Sequence, residues 1–381
     1  FATSQYVLKL QDLAEARGVD PEKFSKGLLL NEISIAPLTE DIVTLAASAS
    51  NSILTDKEKE EIDMVIVATE SGIDQSKAAA VFVHGLLGIQ PFARSFEIKE
   101  ACYGATAALH YAKLHVENSP ESKVLVIASD IAKYGVGTPG EPTQGAGSVA
   151  MLITQNPRIM AFNNDNVAQT RDIMDFWRPN YSSTPYVNGM YSTQQYLDCL
   201  TTTWDEYKKR YDWTMDDFAA ICFHLPYPKL ALKGLRKMMD KNLSQEKKDS
   251  LQENFDKSIL YSQMIGNIYT GSLFLGLLSL LENAETLKAG DKIALYSYGS
   301  GAVSEFFSGE LVEGYEAYLD KERLSKLKQR TALSVADYEK VFFEEVQLDE
   351  SGSAQFAGYE YQDYALVEIV DHQRRYSKVE K

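Results

Sequence analysis

The chain has 381 residues, 45% of them hydrophobic and 24% charged, with a formal net charge of −16 at pH 7. Its length exceeds what one hydrophobic core normally supports, so two lobes are expected, and its acidity argues against nucleic acid and anionic membrane as partners, since both need a basic surface. The three cysteines, Cys102, Cys199 and Cys222, are an odd number without a paired short spacing; this suggests neither a disulfide framework nor a zinc site and fits a cytoplasmic location.

The strongest apolar run, LFLGLLSLL at 273–281, falls well short of the roughly 20 residues that span a bilayer. No signal peptide is visible, and because the chain opens at Phe1 rather than methionine, a preceding segment is expected.

In chain order, MVIVATE (64–70) predicts a strand ending at Glu70, and QSKAAAVFVHGLLG after it has helical spacing with a terminal glycine. EIKEACYGATAALHYAKL (97–114) predicts a helix opened by Cys102. NSPES breaks it before the strand VLVIASD (124–130), and the glycine-rich GAGS reads as a turn into VAMLIT (149–154). Rich in tyrosine, asparagine and threonine, the stretch 160–212 reads as loop with aromatic anchors. FAAICF predicts a strand that ends at His224, followed by a helix with Lys229, Lys233 and Lys237 on one face and Arg236 beside them. From 266, GNIYTGSLFLGLLSLLENAETL reads as a second small-residue-led helix opened by Asn267; the strand IALYSYG (293–299), the turn GSGA and VSEFFSG follow. An amphipathic helix near SVADYEKVFFEE and a final strand ALVEIVDHQRRY close the chain.

Helix, strand, glycine turn and strand thus occur once in each half, which points to α/β layering and an internal duplication, with two ordinary α/β units as the alternative. The chemically capable residues fall at element ends, where a rigid scaffold can present them to a shared crevice. A helix terminus could stabilise a Cys102 thiolate by up to ~2 kcal/mol, whereas a buried cysteine is ordinarily a small hydrophobe. His224 sits where a strand leaves the sheet, while His84, His110 and His115 within helical patterns and His372 in an alternating strand look structural. Asn267 reads by default as a helix cap and Ser300, between Gly299 and Gly301, as a turn residue.

Six blocks in order, MVIVATESGIDQSKAAA, GIQPFARSFEIKEACYGATAAL, GEPTQGAGSVAML, ICFHLPYPKLALKGL, GNIYTGS and YSYGSGAVSEFF, resemble the 3-hydroxy-3-methylglutaryl-CoA synthases of the thiolase superfamily, most closely the shorter bacterial branch. The resemblance covers nearly the whole chain. It implies a thiolase-like duplicated five-layer αβαβα fold with halves 1–158 and 159–381 integrated in one body, a homodimer, and condensation of acetyl-CoA with acetoacetyl-CoA in the mevalonate pathway of isoprenoid biosynthesis. No metal and no cofactor beyond the CoA thioester substrates is implied.

The same resemblance assigns expected roles. Cys102 would accept the acetyl group and Glu70 would take a proton from its methyl. The enolate oxygen would meet backbone N–H groups of Cys102 and the Ser300 turn. His224, helped by Asn267, would polarise acetoacetyl-CoA and supply a proton. Tyr134 would line the pocket, Asp130 and Asp175 would orient neighbours, and Lys229 and Lys233 would meet CoA phosphates. Glu100 and Ala105 depart from the pattern of animal-type members, which have asparagine and glycine there, and Asn188 stands where many members have aspartate. A Glu100 facing the thiol would oppose the helix dipole, so it is expected to point away. Type III ketoacyl synthases share the Cys, His and Asn set, but they decarboxylate a malonyl donor and need no base such as Glu70. Thiolases need a second reactive cysteine near the C-terminus, which is absent after Cys222, and a non-catalytic acyl-CoA-binding homologue would leave the trio Glu70, Cys102 and His224 unexplained.

Overall fold

A computed structural model describes residues 1–360 and 363–379, so the C-terminal limit of the expected second half, 381, lies outside the described residues. One motif is built twice. In the first sheet Ile62–Ala68 runs parallel to Lys123–Ala132, which pairs antiparallel with Gly145–Ile153. In the second, Ala220–Phe223 runs parallel to Lys292–Gly299, which pairs antiparallel with Val303–Leu311. Arg94–Ile98 extends the first sheet beyond Ile62–Ala68 and forms its edge, with Ala2–Thr3 at the opposite side.

The apolar runs of these strands are buried on both faces, as parallel sheets covered by helices require. Alternate residues divide between two cores because successive side chains point to opposite faces. Val124, Val126 and Ala128 join the central cluster, whereas Leu125 and Ile127 join an outer one. Ile293 and Leu295 likewise face the central cluster, and Ala294 and Tyr296 face the far side. Two helices, Gly104–Asn118 and Ser272–Asn283, supply the middle layer, where Ala105, Ala108 and Ala112 share one core with Leu273 and Leu280. Helices Ile42–Asn51 and Ala79–Leu87 cover the first sheet, and Gly189–Tyr211 and Pro228–Met238 cover the second. The result is the expected five-layer αβαβα order.

Four local expectations are corrected. GAGS is not a turn but the start of the strand Gly145–Ile153. Glycine is required there because a Cβ on Gly145 would lie 2.5 Å from the carbonyl oxygens of Asn267 and Ile265. The supposed loop 160–212 contains short strands and the 23-residue helix Gly189–Tyr211, whose buried residues Tyr196, Cys199, Leu200, Thr203, Trp204 and Tyr207 follow helical spacing. ALVEIVDHQRRY is a hairpin of Tyr364–Val370 and Gln373–Lys378; Asp371 and His372, at φ 48° and 61°, turn the chain, so His372 is a turn residue. Neither Cys102 nor Asn267 is the first helical residue: each precedes its helix, at Gly104 and Ser272 respectively.

Candidate active site

The duplication sets the candidate residues in matching positions. Glu70 lies just beyond Ile62–Ala68, and His224 directly follows the equivalent strand Ala220–Phe223. Cys102 and Asn267 each lead into a central helix. Tyr134 follows Lys123–Ala132, and Ser300 follows the equivalent Lys292–Gly299. Both sets of strand ends therefore face the entrance to the middle layer.

The chain reaches Cys102 through Ala101, a non-glycine residue at φ 39°, which marks a tight bend between the edge strand and the helix. The Cys102 Sγ donates to Glu70 Oε1 at 3.1 Å. The expectation of a dipole-stabilised thiolate is corrected here. Burial first, then the carboxylates of Glu70, Asp130 and Asp175, push the thiol well above its ordinary value. These effects outweigh what a helix terminus contributes, so the resting nucleophile is a thiol. Burial, with the Asp130 charge second, also raises the Glu70 carboxyl, to about 8. A carboxylate that resists ionisation is a stronger base once ionised.

Asp130, fully buried, is the fixture that holds Glu70. Its Oδ1 accepts from the Thr69 hydroxyl and the Glu70 backbone N–H, both at 2.9 Å, and from the Ser71 hydroxyl at 2.8 Å. Its Oδ2 accepts from the backbone N–H and hydroxyl of Thr270 in the other half. One carboxylate thus ties the Glu70 loop to the turn beside Asn267. Arg178, from the Tyr- and Asn-rich stretch, donates to the Glu70 carbonyl oxygen.

Asn267 Nδ2 donates to the Tyr134 hydroxyl at 2.9 Å, and its Oδ1 accepts from the Tyr269 N–H and the Ser272 hydroxyl, which fixes the amide orientation. Rings of Tyr134, Phe176 and Tyr269 pack edge-on or tilted around this contact. Asp175 accepts from the Gly301 N–H at 2.9 Å and from the Tyr298 hydroxyl at 2.7 Å, so it anchors the turn that carries Ser300. His224 is 3% exposed; burial lowers it to about 3, which keeps the imidazole neutral, and its Nδ1 has no hydrogen-bond partner among the described residues. Its backbone is fixed by the Tyr296 carbonyl oxygen and the Tyr196 hydroxyl, and its ring makes no hydrogen bond to the other candidates.

Lys229 and Lys233 lie on Pro228–Met238 without an ion pair among the described residues, whereas Lys237 in the same row is 3.6 Å from Asp198. The Lys229 N–H donates to the Leu28 carbonyl oxygen, tying the start of the helix to an N-terminal loop. Glu100 directs its carboxyl toward Gly301, 3.4 Å from where a Cβ there would stand. Asn188 caps Gly189–Tyr211 through the Tyr191 N–H, a structural role. Among the described residues no cluster of His, Cys, Asp or Glu could hold a metal ion, and no helix is long and apolar enough to cross a membrane.

The residues that sequence reasoning missed are the supporting ones: Thr69, Ser71 and Thr270 on Asp130, Arg178 on Glu70, and the rings of Phe176 and Tyr269. The hydroxyls flanking Glu70 were the available signal.

The family model for the N terminal of hydroxymethylglutaryl-coenzyme A synthase matches residues 1–158, and that for the C terminal matches 166–258 and 236–360. The chain is 54% identical to a hydroxymethylglutaryl-CoA synthase of Enterococcus faecalis over 351 residues, 92% of this chain and 91% of the relative. It is similar to a crystal structure of HMG-CoA synthase complexed with CoA, with a TM-score of 0.98 and 68% identity over 99% of this chain and 97% of that one. A structure of MvaS in complex with 3-hydroxy-3-methylglutaryl coenzyme A has a TM-score of 0.87 and 32% identity, over 99% and 97% of the two chains.

Proposed function

Since the chain belongs to the hydroxymethylglutaryl-CoA synthase family, we propose a division of labour among its residues for the family's reaction. That reaction condenses acetyl-CoA with acetoacetyl-CoA and water to give 3-hydroxy-3-methylglutaryl-CoA and CoA.

The Cys102 thiol gives its proton to Glu70 and attacks the acetyl thioester, releasing CoA as thiol and leaving acetyl-Cys102. Glu70, its proton passed to the departing thiolate, next takes one from the acetyl methyl. The resulting enolate oxygen is met by backbone N–H groups of Cys102 and the Ser300 turn, the latter held by Asp175. The enolate carbon bonds to the ketone carbon of acetoacetyl-CoA, whose oxygen is polarised by His224, with Asn267 and Tyr134 lining the pocket. A neutral, buried imidazole serves as a hydrogen-bond donor but is a poor acid. The protonated Glu70 carboxyl is therefore the better source of the proton for the tertiary alkoxide. Water then cleaves the Cys102 thioester and restores the thiol. Lys229 and Lys233 meet the phosphates of the CoA arm, their ammonium groups offsetting the phosphate charge on an otherwise acidic protein. Resident metals and cofactors have no part in this scheme.

The observation that carries this reading is the 3.1 Å hydrogen bond from Cys102 to a carboxyl whose pKa is raised to about 8. It unites nucleophile and base in one buried pair. Mixing the purified protein with both thioesters tests it, against each thioester alone and against Cys102→Ala. Free CoA release that needs both substrates and Cys102, with the branched six-carbon product seen by mass, is the expected outcome. Acetyl-Cys102 formed without condensation would overturn it in favour of a different acceptor.

The edge strand Arg94–Ile98 has one sheet neighbour, and Phe92, Tyr111 and Leu114 near it are exposed, Phe92 by 90%. This supports a homodimer joined along that edge, which sedimentation of wild type and Phe92→Glu would test. The three free cysteines support a reducing, cytoplasmic setting.

A further inference from the structure

The segment Glu141–Gly145 carries buried polar groups that the scheme above does not use. Gln144 is 3% exposed. Its Oε1 accepts from the backbone N–H groups of Tyr134 at 2.8 Å and Gly135 at 3.2 Å, and its Nε2 donates to the Tyr338 hydroxyl at 2.9 Å. Tyr338 donates onward to Glu141 Oε1 at 3.2 Å. Glu141 in turn accepts from Arg17 at 2.7 and 3.0 Å and from the Gly137 N–H at 2.9 Å. Every polar atom of the Gln144 side chain is engaged, and the far end of the chain of bonds is held by a bidentate ion pair.

The backbone of the same segment touches the opposite wall of the site. The Thr143 carbonyl oxygen accepts from the Asn267 N–H at 3.1 Å. A Cβ on Gly266 would fall 1.8 Å from the Gln144 carbonyl oxygen, and Gly266 has φ 83°, so only glycine passes there. The Gln144 side chain therefore fixes where Tyr134 lies, while the backbone of Thr143 and Gln144 fixes where Gly266 and Asn267 lie. The 2.9 Å contact between Tyr134 and Asn267 is the sum of both.

We infer that Gln144 is a positioning residue for the acetoacetyl end of the site, acting through Tyr134 and Asn267 and not through Cys102 or Glu70. This rests on the pocket role proposed above for Tyr134 and Asn267. Its side chain makes no hydrogen bond to the nucleophile or the base, so the two half-reactions should separate when it is changed. Losing an acceptor for two inward-facing amides lets the Tyr134 segment move, and the substrate that contacts Tyr134 is the one affected.

The test is Gln144→Met, which keeps side-chain length and removes both polar ends. Acetylation of Cys102 by acetyl-CoA should stay within about threefold of wild type, while KM for acetoacetyl-CoA rises by about tenfold or more. Gln144→Glu, which retains the oxygen that accepts from both Tyr134 and Gly135, should recover much of that loss. Combining Gln144→Met with Tyr134→Phe should cost less than the product of the single effects, because both act on one contact. Equal decline of both half-reactions, an unchanged KM, or strict additivity would each overturn the inference. Should Gln144→Met fail to fold, Tyr338→Phe frees the far end of the amide and should raise the same KM by severalfold without altering acetylation; no change in KM there would also overturn it. Failure of the wild type to acetylate or condense would instead overturn the reaction scheme itself.

Discussion

Cys102 donates to Glu70 across 3.1 Å; the carboxylate raises the thiol's resistance to ionisation, while the thiol's hydrogen bond favours the ionised carboxyl and so offsets part of what burial and Asp130 do to it. The pair is one proton-transfer unit, in which the thiol needs a base to attack and the base is already in place. The same geometry makes Glu70 available for the methyl proton once the thiol has become a thioester.

Replacing Glu70 by alanine has two opposite effects on the first step. It removes the proton acceptor, but it also removes the charge that most disfavours the thiolate after burial itself. Acetyl-Cys102 should therefore still form, within about tenfold of the wild-type rate, whereas condensation, which has no substitute base, should fall by about 10²- to 10⁴-fold. Mass spectrometry of the acetylated protein and a condensation assay separate the two steps. Wild-type condensation in this variant would refute Glu70 as the base.

The raised carboxyl sets a pH profile. With Glu70 at about 8 in the free protein, kcat/KM should climb about tenfold per pH unit below that value and level off above it. Stability runs the other way. The folded state keeps this proton to about 8 while the unfolded chain releases it near the ordinary 4.5. The contribution is whole below 4.5 and is lost as pH rises through 8. Glu70→Gln should remove that loss, so urea midpoints of variant and wild type should diverge between pH 5 and pH 9, with the variant more stable at the alkaline end. Parallel midpoints would contradict the raised value.

Asp130→Ala strips the acceptor from Thr69, Glu70, Ser71 and Thr270 together, leaving buried donors unpaired. A loss of at least about 3 kcal/mol in unfolding free energy is expected. Asp130→Asn keeps the shape but turns an N–H₂ group toward donors, so it should recover only part of the stability. Equal unfolding midpoints for wild type and Asp130→Ala would contradict the network's role.

Lys229→Ala combined with Lys233→Ala should raise KM for CoA thioesters by about tenfold with little change in kcat, since the contact is made equally in ground and transition states. Lys237→Ala should do much less, because that lysine is already occupied near Asp198. Dephospho-CoA thioesters provide the control: an identical penalty for both substrate forms in the double variant would show that the lysines do not read phosphate.

Much of the scaffold was legible because its strands are continuous apolar runs and its glycines mark breaks, and the candidate residues lay at the ends of those runs. The failures have physical causes. Gly189–Tyr211 is rich in threonine and tyrosine, which favour strand over helix, yet Tyr196, Leu200, Thr203 and Tyr207 bury one helical face. Gly145 looks like turn chemistry and is instead a close approach to Asn267 and Ile265, a partner that no local pattern reveals. A helix end alone suggests a stabilised thiolate at Cys102, while burial first, and then three carboxylates from other parts of the chain, decide its ionisation. Arg178 and Thr270 give no local signal for the same reason, since their partners lie far away in sequence.

Asp130 and Thr270 are separated by 140 positions, and Tyr134 and Asn267 by 133. Contacts of that span form late when a chain refolds, after local helices and hairpins have reported their signals. Catalytic competence should thus be the last property to return after denaturation, lagging behind the recovery of circular dichroism and tracking the docking of the two repeats.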